Sequence, residues 1–476
     1  MWEVRDAVEG TQIFGATGSG KSSGSGRALA VALIEKHIGG VVLAAKSDER
    51  EQWLKYFRQA GVEDPIGTQR LRVIDPEDKK CRFDPLAYEY LLAPEGGTRR
   101  LTSLFMTALG SGDGRVASDA YWDDALRELL GHAIDLVVFS NATVAEDGCL
   151  QYGQDPPGLD EIAAVIKTSA QSVTEAKSKV WRESGEACPA MLEVVDRLYD
   201  QLLAAPDHNR AVAADVCDTF VYWTRIFPNL ADRTRSVILT SFTGKANDLL
   251  RRPLREIFCN GHSTDEYSVL PTDTHRGVVV LVNIPVKRYG EVGEFSQKLY
   301  KTVWQHATES DERDMDDADI KPTFLWADEA QHFVTKEDVL FQATARSKLA
   351  ATIYLTQNIS NYYCILGGDK SSATDALLGS LQMKVFHANG DPATNEWGER
   401  LFGQRDTPDP SSSYSTGQDQ QLNYGGSLSM RTKPTRLSSE FTRLGRGDGT
   451  DGSTSALLFH AGKQWKGGGN SIAHQF

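Results

Sequence analysis

The sequence has no run of about 18 apolar residues, so it predicts no segment that spans a bilayer. Its first six residues, Met1–Asp6, are charged and contain no apolar stretch of the kind found in a signal peptide. These two absences exclude the ordinary integral membrane and secreted classes. We therefore expect a cytoplasmic protein.

Cysteine is scarce and scattered. The six cysteines include no C-x-x-C pair, which argues against both a zinc knuckle and a disulfide framework. We expect most of them to be small, buried apolar residues. They are Cys81, Cys149, Cys188, Cys217, Cys259 and Cys364.

Positive charge is also in short supply. The chain has 51 Lys and Arg against 65 Asp and Glu, a formal net charge of −14. This balance argues against a basic coat over the whole surface. It leaves DNA binding open, because attraction to phosphate is local, over a Debye length of roughly 10 Å. A ring-shaped motor could confine its positive charge to a pore.

The order of apolar patterns divides the chain into three blocks. Strand and helix patterns alternate in residues 1–89 and again in 271–476, whereas long helical periodicities dominate 90–270. The alternation predicts an α/β fold with a mostly parallel sheet, as in RecA-like nucleotide-binding domains, interrupted by an inserted all-α domain. Within the last block, residues 406–433 are rich in Ser, Gly and Tyr and predict a flexible surface loop.

A glycine-rich octamer carries the strongest functional signal. Residues Gly15–Ser22 match G-x-x-x-x-G-K-[ST] and stand between a predicted strand and a predicted helix. In such a loop the backbone N–H groups surround phosphate, the lysine reaches the β- and γ-phosphates, and the serine hydroxyl binds Mg²⁺. The predicted nucleotide-binding residues, for ATP, are Gly15, Ala16, Thr17, Gly18, Ser19, Gly20, Lys21, Ser22 and Ser23.

Two acids end the predicted strand at Thr323–Ala327. Alone, Asp328 and Glu329 would more often be a solvated strand end. With an intact phosphate-binding loop in the chain, we interpret Asp328 as the second Mg²⁺ ligand beside Ser22. Glu329 is then the residue that polarises the attacking water.

Two further polar residues are candidates for the same chemistry. Gln357 follows the next predicted strand, and neighbouring parallel strands end at one crevice, so it could contact the γ-phosphate or the attacking water. Arg346 lies between those strands, and an arginine there faces either solvent or a neighbouring subunit, where it would stabilise transition-state charge. Arg400 and Arg405 are its rivals for that role. With Lys21 and Glu329, Gln357 and Arg346 complete the predicted catalytic set.

Softer features have mainly structural interpretations. Phe83–Leu86 marks the exit from the nucleotide-binding block into the helical block. His332, four residues after Asp328, has no partner His or Cys for a metal site. The acidic run Asp311–Asp319 is predicted to be a solvated loop.

Several segments together resemble one protein family. They are Ile13–Ser22, Val41–Lys46, Phe83–Leu86, Trp326–Ala330, Ala345–Ser347 and Leu355–Asn358. In order and spacing they resemble the TraG/TraD-type conjugative coupling proteins, within the FtsK/HerA group of DNA-pumping P-loop ATPases. The helical insertion between the two halves of the nucleotide-binding domain has its counterpart in that family.

The resemblance implies a hexameric, ATP-driven DNA translocase with ATP sites shared between subunits, acting in type IV secretion. DNA in the pore, a relaxase and channel components are the implied partners, and peripheral attachment at the inner face of the cell membrane is the implied extension of the cytoplasmic location. It implies an active site of Lys21, Ser22, Asp328, Glu329 and Gln357, with Arg346 supplied in trans. The turn Lys287–Tyr289 could contact DNA in the pore.

The given sequence departs from the family in one respect, because it has no transmembrane helices before the phosphate-binding loop. Either a membrane anchor has been removed from it, or it is a naturally soluble relative. Two further functions stay open. One is a soluble HerA-like DNA motor that works with a nuclease or defence partner. The other is an ATP-driven machine that exports or remodels protein.

Overall fold

The computed structural model describes residues 4–92, 97–109, 117–205, 210–259, 267–311, 321–367, 372–416, 422–447, 453–465 and 471–476. The strands in this part of the chain are β1 (Thr11–Phe14), β2 (Gly39–Leu43), β3 (Leu71–Ile74), β4 (Thr143–Val144), β5 (Leu150–Gln151), β6 (Val279–Val282), β7 (Thr323–Asp328), β8 (Ala350–Thr356), β9 (Met383–Phe386), β10 (Gln404–Thr416), β11 (Leu422–Pro434), β12 (Ser455–His460) and β13 (Ser471–Gln475).

The helices fall into three groups along the chain. Before β4 they are α1 (Val4–Ala7), α2 (Arg27–Glu35), α3 (Glu49–Gln59), α4 (Pro85–Leu92), α5 (Gly97–Leu109) and α6 (Ala117–Ser140). Between β5 and β6 they are α7 (Leu159–Lys167), α8 (Val173–Lys177), α9 (Lys179–Arg182), α10 (Ala187–Ala204), α11 (Arg210–Val221), α12 (Phe227–Asn229), α13 (Asp232–Leu249) and α14 (Arg255–Phe258). After β6 they are α15 (Val286–Ser310), α16 (Lys336–Ala345), α17 (Ile359–Leu366), α18 (Ser372–Ser380), α19 (Pro392–Phe402) and α20 (Ser438–Phe441).

Nine strands form the central sheet, in the order β13-β12-β9-β1-β8-β7-β2-β6-β3. From β9 to β3 the neighbours pair in parallel, and β12 and β13 extend the sheet antiparallel at one edge. The strand β1 lies between β8 and β9, so Ile13 pairs with both Leu355 and Val385. The predicted α/β fold with a mostly parallel sheet is confirmed.

Successive side chains of a strand point to opposite faces of the sheet. Both faces of this sheet are apolar, and helices cover each of them. On one face, Ile353 and Leu355 of β8 lie in a buried apolar cluster with residues of α2 and α3, including the fully buried Trp53. On the other face, Tyr354 lies in a second cluster with Tyr300 of α15. Fully burying one such side chain contributes about 1.5–3 kcal/mol, so the two clusters hold the strand ends in a fixed arrangement.

The helical block between β3 and β6 packs on the second face. Helix α5 contacts α15, and the buried residues of α6, α7 and α10 belong to the same apolar cluster as Leu325 of β7. In the part of the chain that the structure describes, the block contains one short hairpin, β4–β5, in addition to its helices. The segment Phe83–Leu86 begins it: Asp84 Oδ1 accepts hydrogen bonds from the backbone N–H groups of Leu86 and Ala87, both at 3.1 Å, at the start of α4.

Two expectations from the sequence are wrong. Most of the segment 406–433, predicted to be a loop, forms the antiparallel ribbon β10–β11, whereas residues 417–421 lie outside the described part. Each strand satisfies the other's backbone groups, and Pro408 and Pro410 are tolerated because both edges of a two-stranded ribbon are free. Local composition does not record such pairing.

The cysteines are the second correction. Of the six, only Cys188 is buried, while Cys149 and Cys364 are exposed and the rest are half-buried. Cys149 lies beside the β4–β5 turn and Cys364 on the outer side of α17, positions that contribute little to either core.

Among the described helices, none is both long and apolar enough to cross a membrane.

Candidate nucleotide-binding site

Four neighbouring parallel strands end at one edge of the sheet, and each is followed by a predicted site residue or by a basic one. The phosphate-binding loop follows β1, Gln357 follows β8, Asp328 and Glu329 stand at the end of β7, and Lys46 lies just after β2. Because β1, β8, β7 and β2 are adjacent in that order, these side chains meet in one crevice. The structure thus brings together residues that are more than 300 positions apart.

The phosphate-binding loop has the backbone that its glycines permit. Gly18 and Gly20 have φ values of 72° and 89°, in the left-handed region that glycine adopts at little cost. A Cβ on Gly20 would also lie 2.3 Å from Thr454 Cγ2. Thr454 exchanges backbone hydrogen bonds with Phe476, so the C-terminal strands cover the outer side of the loop. No pattern in the sequence predicts that Thr454 lies there.

Lys21 is turned back onto the loop. Its Nζ donates to the carbonyl of Gly15 at 2.8 Å and to that of Ala16 at 3.4 Å. Burial lowers the pKa of Lys21, and the negative charges of Asp328 and Glu329 offset part of this effect. Two carbonyl oxygens of the loop therefore hold the Lys21 ammonium. A phosphate bound by the loop's N–H groups would lie close enough to attract it.

Ser22 and Asp328 form an oxygen-donor pair. Ser22 Oγ donates to Asp328 Oδ2 at 3.0 Å, and the Asp328 side chain is almost fully buried. Mg²⁺ is a hard cation that is held in phosphate-binding sites by one or two protein oxygens together with phosphates and water. The hydroxyl and carboxylate of this pair fit that chemistry. In the sequence analysis these two residues were the predicted metal ligands.

Lys46 is a site residue for which the sequence alone predicts no role. Its Nζ lies 3.0 Å from Asp328 Oδ2 and 3.5 Å from Glu329 Oε1. Burial alone would lower the pKa of Lys46, but the charge of Asp328 and its hydrogen bond outweigh burial and raise it. The sequence does show that Lys46 follows a buried strand. Only the pairing of β2 with β7 shows that this position lies beside Asp328 and Glu329.

Glu329 is held by two amides. Gln331 Nε2 donates to Glu329 Oε2 at 2.9 Å, and Gln357 Nε2 lies 3.3 Å from both carboxylate oxygens. Glu329 has a left-handed backbone, with φ at 54°, which is uncommon for a residue other than glycine. This conformation directs a short turn away from the strand, and the two glutamines then fix the carboxylate.

The electrostatics keep Glu329 ionised. Burial would raise the pKa of Glu329, but hydrogen bonding from Gln331, the charges of Lys46 and Lys21, and hydrogen bonding from Gln357 together lower it. An ionised carboxylate with fixed orientation can accept a proton from water. Gln357 therefore contacts Glu329 directly, in addition to facing the phosphate-binding loop.

The cleft beside the loop has a volume of about 540 Å³, within the range of small-molecule sites. Helix α3 forms its far wall. Tyr56 Oη donates to the carbonyl of Ser22 at 2.8 Å, and Gln52 in turn donates to Tyr56. Glu49, only 3% exposed, lies behind the acids, and burial together with the charge of Asp328 raises the pKa of Glu49 well above its usual value.

Arg346 does not belong to the crevice of its own chain. It caps the end of α16 before β8 begins, whereas Gln357 follows the other end of that strand. Seven strand residues separate the two ends, roughly 20 Å. Arg346 is 63% exposed and pairs with Glu9 at 3.5 Å. The rivals Arg400 and Arg405 are also exposed.

The turn Lys287–Tyr289 is the first turn of α15, which is broken at Gly290. Lys287 lines the cleft, and the Arg288 guanidinium lies 5.5 Å from the centre of the Tyr289 ring. Two softer features of the sequence lie outside this turn. His332 Nδ1 lies 3.6 Å from Glu294 Oε2. Of the acidic run 311–319, all but Asp311 lies outside the described residues.

No protein-family model matches the chain, and no curated protein matches it significantly. Solved structures do match over nearly its whole length. The bacterial conjugative coupling protein TrwBdeltaN70 in its unbound form has a TM-score of 0.59 at 14% identity, over 98% of this chain and 87% of that one. The plasmid coupling protein TrwB with the non-hydrolysable GTP analogue GDPNP has a TM-score of 0.59 at 13% identity, over 99% and 85%.

A third match is TrwB in complex with ADP and Mg²⁺, with a TM-score of 0.57 at 14% identity, over 96% of this chain and 84% of that one. The likeness extends across the helical insertion as well as the sheet, because the coverage leaves almost none of this chain unmatched. The chain therefore has the fold of these coupling proteins, as the sequence motifs predicted.

Proposed function

We propose that the chain is an ATP-hydrolysing DNA translocase that acts as a coupling ATPase in conjugation or type IV secretion. The observation that carries the proposal is the convergence of Lys21, Ser22, Asp328, Glu329 and Gln357 on one sheet edge, in a fold shared with TrwB. This set contains a group for each task in phosphoryl transfer: phosphate binding, cation binding and activation of water.

Binding comes first. The N–H groups of the phosphate-binding loop surround the β-phosphate, and Lys21 leaves the carbonyls of Gly15 and Ala16 for the phosphate oxygens. Ser22 and Asp328 would hold Mg²⁺, which would supply positive charge to offset that of the phosphates. The cleft of about 540 Å³ along α3 accommodates the rest of the nucleotide.

Glu329 then accepts a proton from the attacking water. The amides of Gln331 and Gln357 orient its carboxylate, and its lowered pKa keeps it in the basic form at neutral pH. Gln357 also faces the loop, so loss of the γ-phosphate can alter its contact with Glu329. Gln357 thereby links the state of the nucleotide to the end of β8.

The remaining catalytic group comes from a neighbouring copy. Arg346 is exposed and lies at the sheet edge opposite its own crevice, which suits a residue donated to the next subunit of a ring. We extend the proposal to a homohexamer with shared ATP sites. DNA passes through its pore, where the exposed Arg288, which pairs with Glu77, and Tyr289 offer charge and an aromatic ring to the strand.

Displacement of streptavidin from biotinylated DNA tests translocation. With ATP and Mg²⁺ the protein should remove streptavidin from the end of a DNA fragment, and it should fail to do so with a non-hydrolysable ATP analogue. DNA-stimulated hydrolysis without displacement would favour a nucleic-acid-activated ATPase that does not translocate. Binding of a purified relaxase then separates a coupling role from a HerA-like role with a nuclease.

A further inference from the structure

The acidic pair, Asp328 and Glu329, has a cationic partner that is not part of the proposed catalytic set. Lys46 Nζ lies 3.0 Å from Asp328 Oδ2 and 3.5 Å from Glu329 Oε1, and thus bridges the two carboxylates. The oxygen that it contacts on Asp328 is also the one that accepts from Ser22 Oγ at 3.0 Å. An ammonium therefore stands next to the two oxygens that are suited to Mg²⁺.

Lys21 does not fill this role, although it lies in the same crevice. Its hydrogen bonds go to the carbonyls of Gly15 and Ala16, and within the described residues it makes no ion pair with either acid. Contact with Lys46 thus offsets part of the negative charge of the acidic pair. Without it, two buried carboxylates would repel each other, and they would also repel an incoming γ-phosphate.

The main chain of Lys46 is anchored while its side chain is partly free. The side-chain amide of Gln297 in α15 makes two hydrogen bonds to the backbone of Ala44. Its Oε1 accepts from the Ala44 N–H at 2.6 Å, and its Nε2 donates to the Ala44 carbonyl at 3.0 Å. The N–H of Lys287 donates to the Ala45 carbonyl at 3.2 Å. The Lys46 side chain remains 31% exposed. A long flexible side chain on a fixed base can leave the acids without any change in the strand.

We propose that Lys46 is a positioning residue that occupies the cation position at Asp328 until Mg²⁺ arrives with the nucleotide. Mg²⁺ and the Lys46 ammonium would repel each other strongly if both contacted Asp328 Oδ2, so we infer that Mg²⁺ binding moves the ammonium toward the phosphates or the solvent. Lys46 therefore competes with Mg²⁺ and keeps the acidic pair assembled between turnovers. The inference rests on the nucleotide site of the proposed function.

Equilibrium binding of a fluorescent, non-hydrolysable ATP analogue over a series of free Mg²⁺ concentrations tests the competition. Lys46→Met removes the ammonium and keeps much of the aliphatic side chain. The Mg²⁺ concentration at the midpoint of the Mg²⁺-dependent gain in affinity should fall about tenfold, the size expected when a competing charged hydrogen bond is lost. In EDTA the variant should bind the analogue more weakly than wild type, because the ammonium no longer offsets part of the carboxylates' charge. A midpoint that is unchanged or raised would overturn the proposal.

Mn²⁺ binding to the nucleotide-free protein gives a second readout, with free Mn²⁺ followed by electron paramagnetic resonance. Lys46→Met should bind one Mn²⁺ about tenfold more tightly than wild type does. The gain should disappear in the double variant with Asp328→Asn. Equal Mn²⁺ affinity in wild type and Lys46→Met contradicts the inference. If the Met variant is unstable, Lys46→Gln carries the same expectation.

Two controls make the result specific. Lys36→Met removes an exposed positive charge at the C-terminal end of α2, and Lys36 does not line the cleft. It should leave the Mg²⁺ midpoint within about twofold of wild type, as expected for a screened charge. Lys46→Arg keeps the charge and should retain a midpoint close to wild type. Failure of wild type to bind the analogue at all would instead count against the proposed function.

Discussion

Ser22 Oγ donates a hydrogen bond of 3.0 Å to Asp328 Oδ2 across 306 positions of sequence. The contact exists because β8, which separates β1 from β7, ends level with both of them, so the loop after β1 reaches over to the acid. The helical block between β3 and β6 does not intervene, since it packs on one face of the sheet. This one contact joins the two halves of the nucleotide-binding domain into a single site.

Glu329→Gln should separate binding from hydrolysis. The substitution keeps the size of the side chain and removes its basicity, so turnover of ATP should fall at least about 100-fold while nucleotide affinity changes less than about threefold. Steady-state hydrolysis and fluorescent-nucleotide binding measure the two quantities. Glu337→Gln, on the first turn of α16, is a matched control and should hydrolyse ATP at the wild-type rate. Turnover above a tenth of wild type in Glu329→Gln would remove Glu329 from its proposed role.

A mixing experiment should reveal whether Arg346 acts in the neighbouring subunit. Arg346→Ala and Lys21→Ala should each lose hydrolysis by about 1,000-fold or more. Mixed in equal amounts and reassembled, they should recover roughly a quarter of wild-type activity, the random share of sites that pair an intact loop with an intact neighbouring arginine. A mixture no more active than its components would mean that Arg346 acts within its own chain or has only a structural role. Full activity of Arg346→Ala alone would transfer the expectation to Arg400 or Arg405.

His387 should make folding stability depend on pH. Its side chain is buried against Ser25 Oγ at 2.7 Å, and burial, reinforced by the charge of Lys21, lowers its pKa to about 4. In the unfolded chain the imidazole takes up a proton near pH 6.5, so the unfolded state binds more protons between pH 6.5 and 4. Stability from this residue is therefore complete above pH 7 and is lost as the pH falls.

The expected loss is about 2 kcal/mol between pH 7 and pH 5, measured by denaturant unfolding at the two pH values. In His387→Gln that part of the decline should disappear, because glutamine does not titrate. The buried His387 is the site of the effect, so substituting an exposed histidine such as His474 should leave the decline unchanged. An equal decline in His387→Gln and wild type would show that other groups cause it.

Substitution of Asp338, which lies outside the crevice, should strongly lower the free energy of unfolding. Asp338 is fully buried and accepts hydrogen bonds from Lys301 and Gln305 of α15 and from Tyr354 of β8. Asp338→Ala leaves the buried Lys301 ammonium without its carboxylate, which should cost about 3–5 kcal/mol of unfolding free energy. Glu337→Ala, one residue away, should cost less than about 1 kcal/mol. Similar losses in the two variants, measured by denaturant titration, would contradict this account.

The sequence predicted much of the fold because the relevant signals are local. Buried parallel strands are short apolar runs, and the loop after β1 matches a fixed spacing of glycines and a lysine. The strand ends of β7 and β8 were identified in the same way, so Asp328, Glu329 and Gln357 were found without the structure. The predicted catalytic and ligand roles of these residues stay predictions, tested by the variants above.

The rest depends on pairs of segments that are distant in the chain. Lys46 contacts the acidic pair because β2 lies next to β7 in the sheet. Thr454 contacts the phosphate-binding loop because the C-terminal strands lie beside that loop. The ribbon β10–β11 was predicted to be a loop for the same reason, since its polar residues favour a strand only when the partner segment is aligned with it. Strand order and register are the information that composition does not contain.

ATP hydrolysis with and without DNA tests the central claim most directly, measured at protein concentrations that span assembly. The account predicts that specific activity rises steeply with protein concentration as subunits complete one another's sites, and that DNA raises it further, with Glu329→Gln inactive throughout. A rate that is the same with and without DNA, and independent of protein concentration across the assembly range, would contradict it.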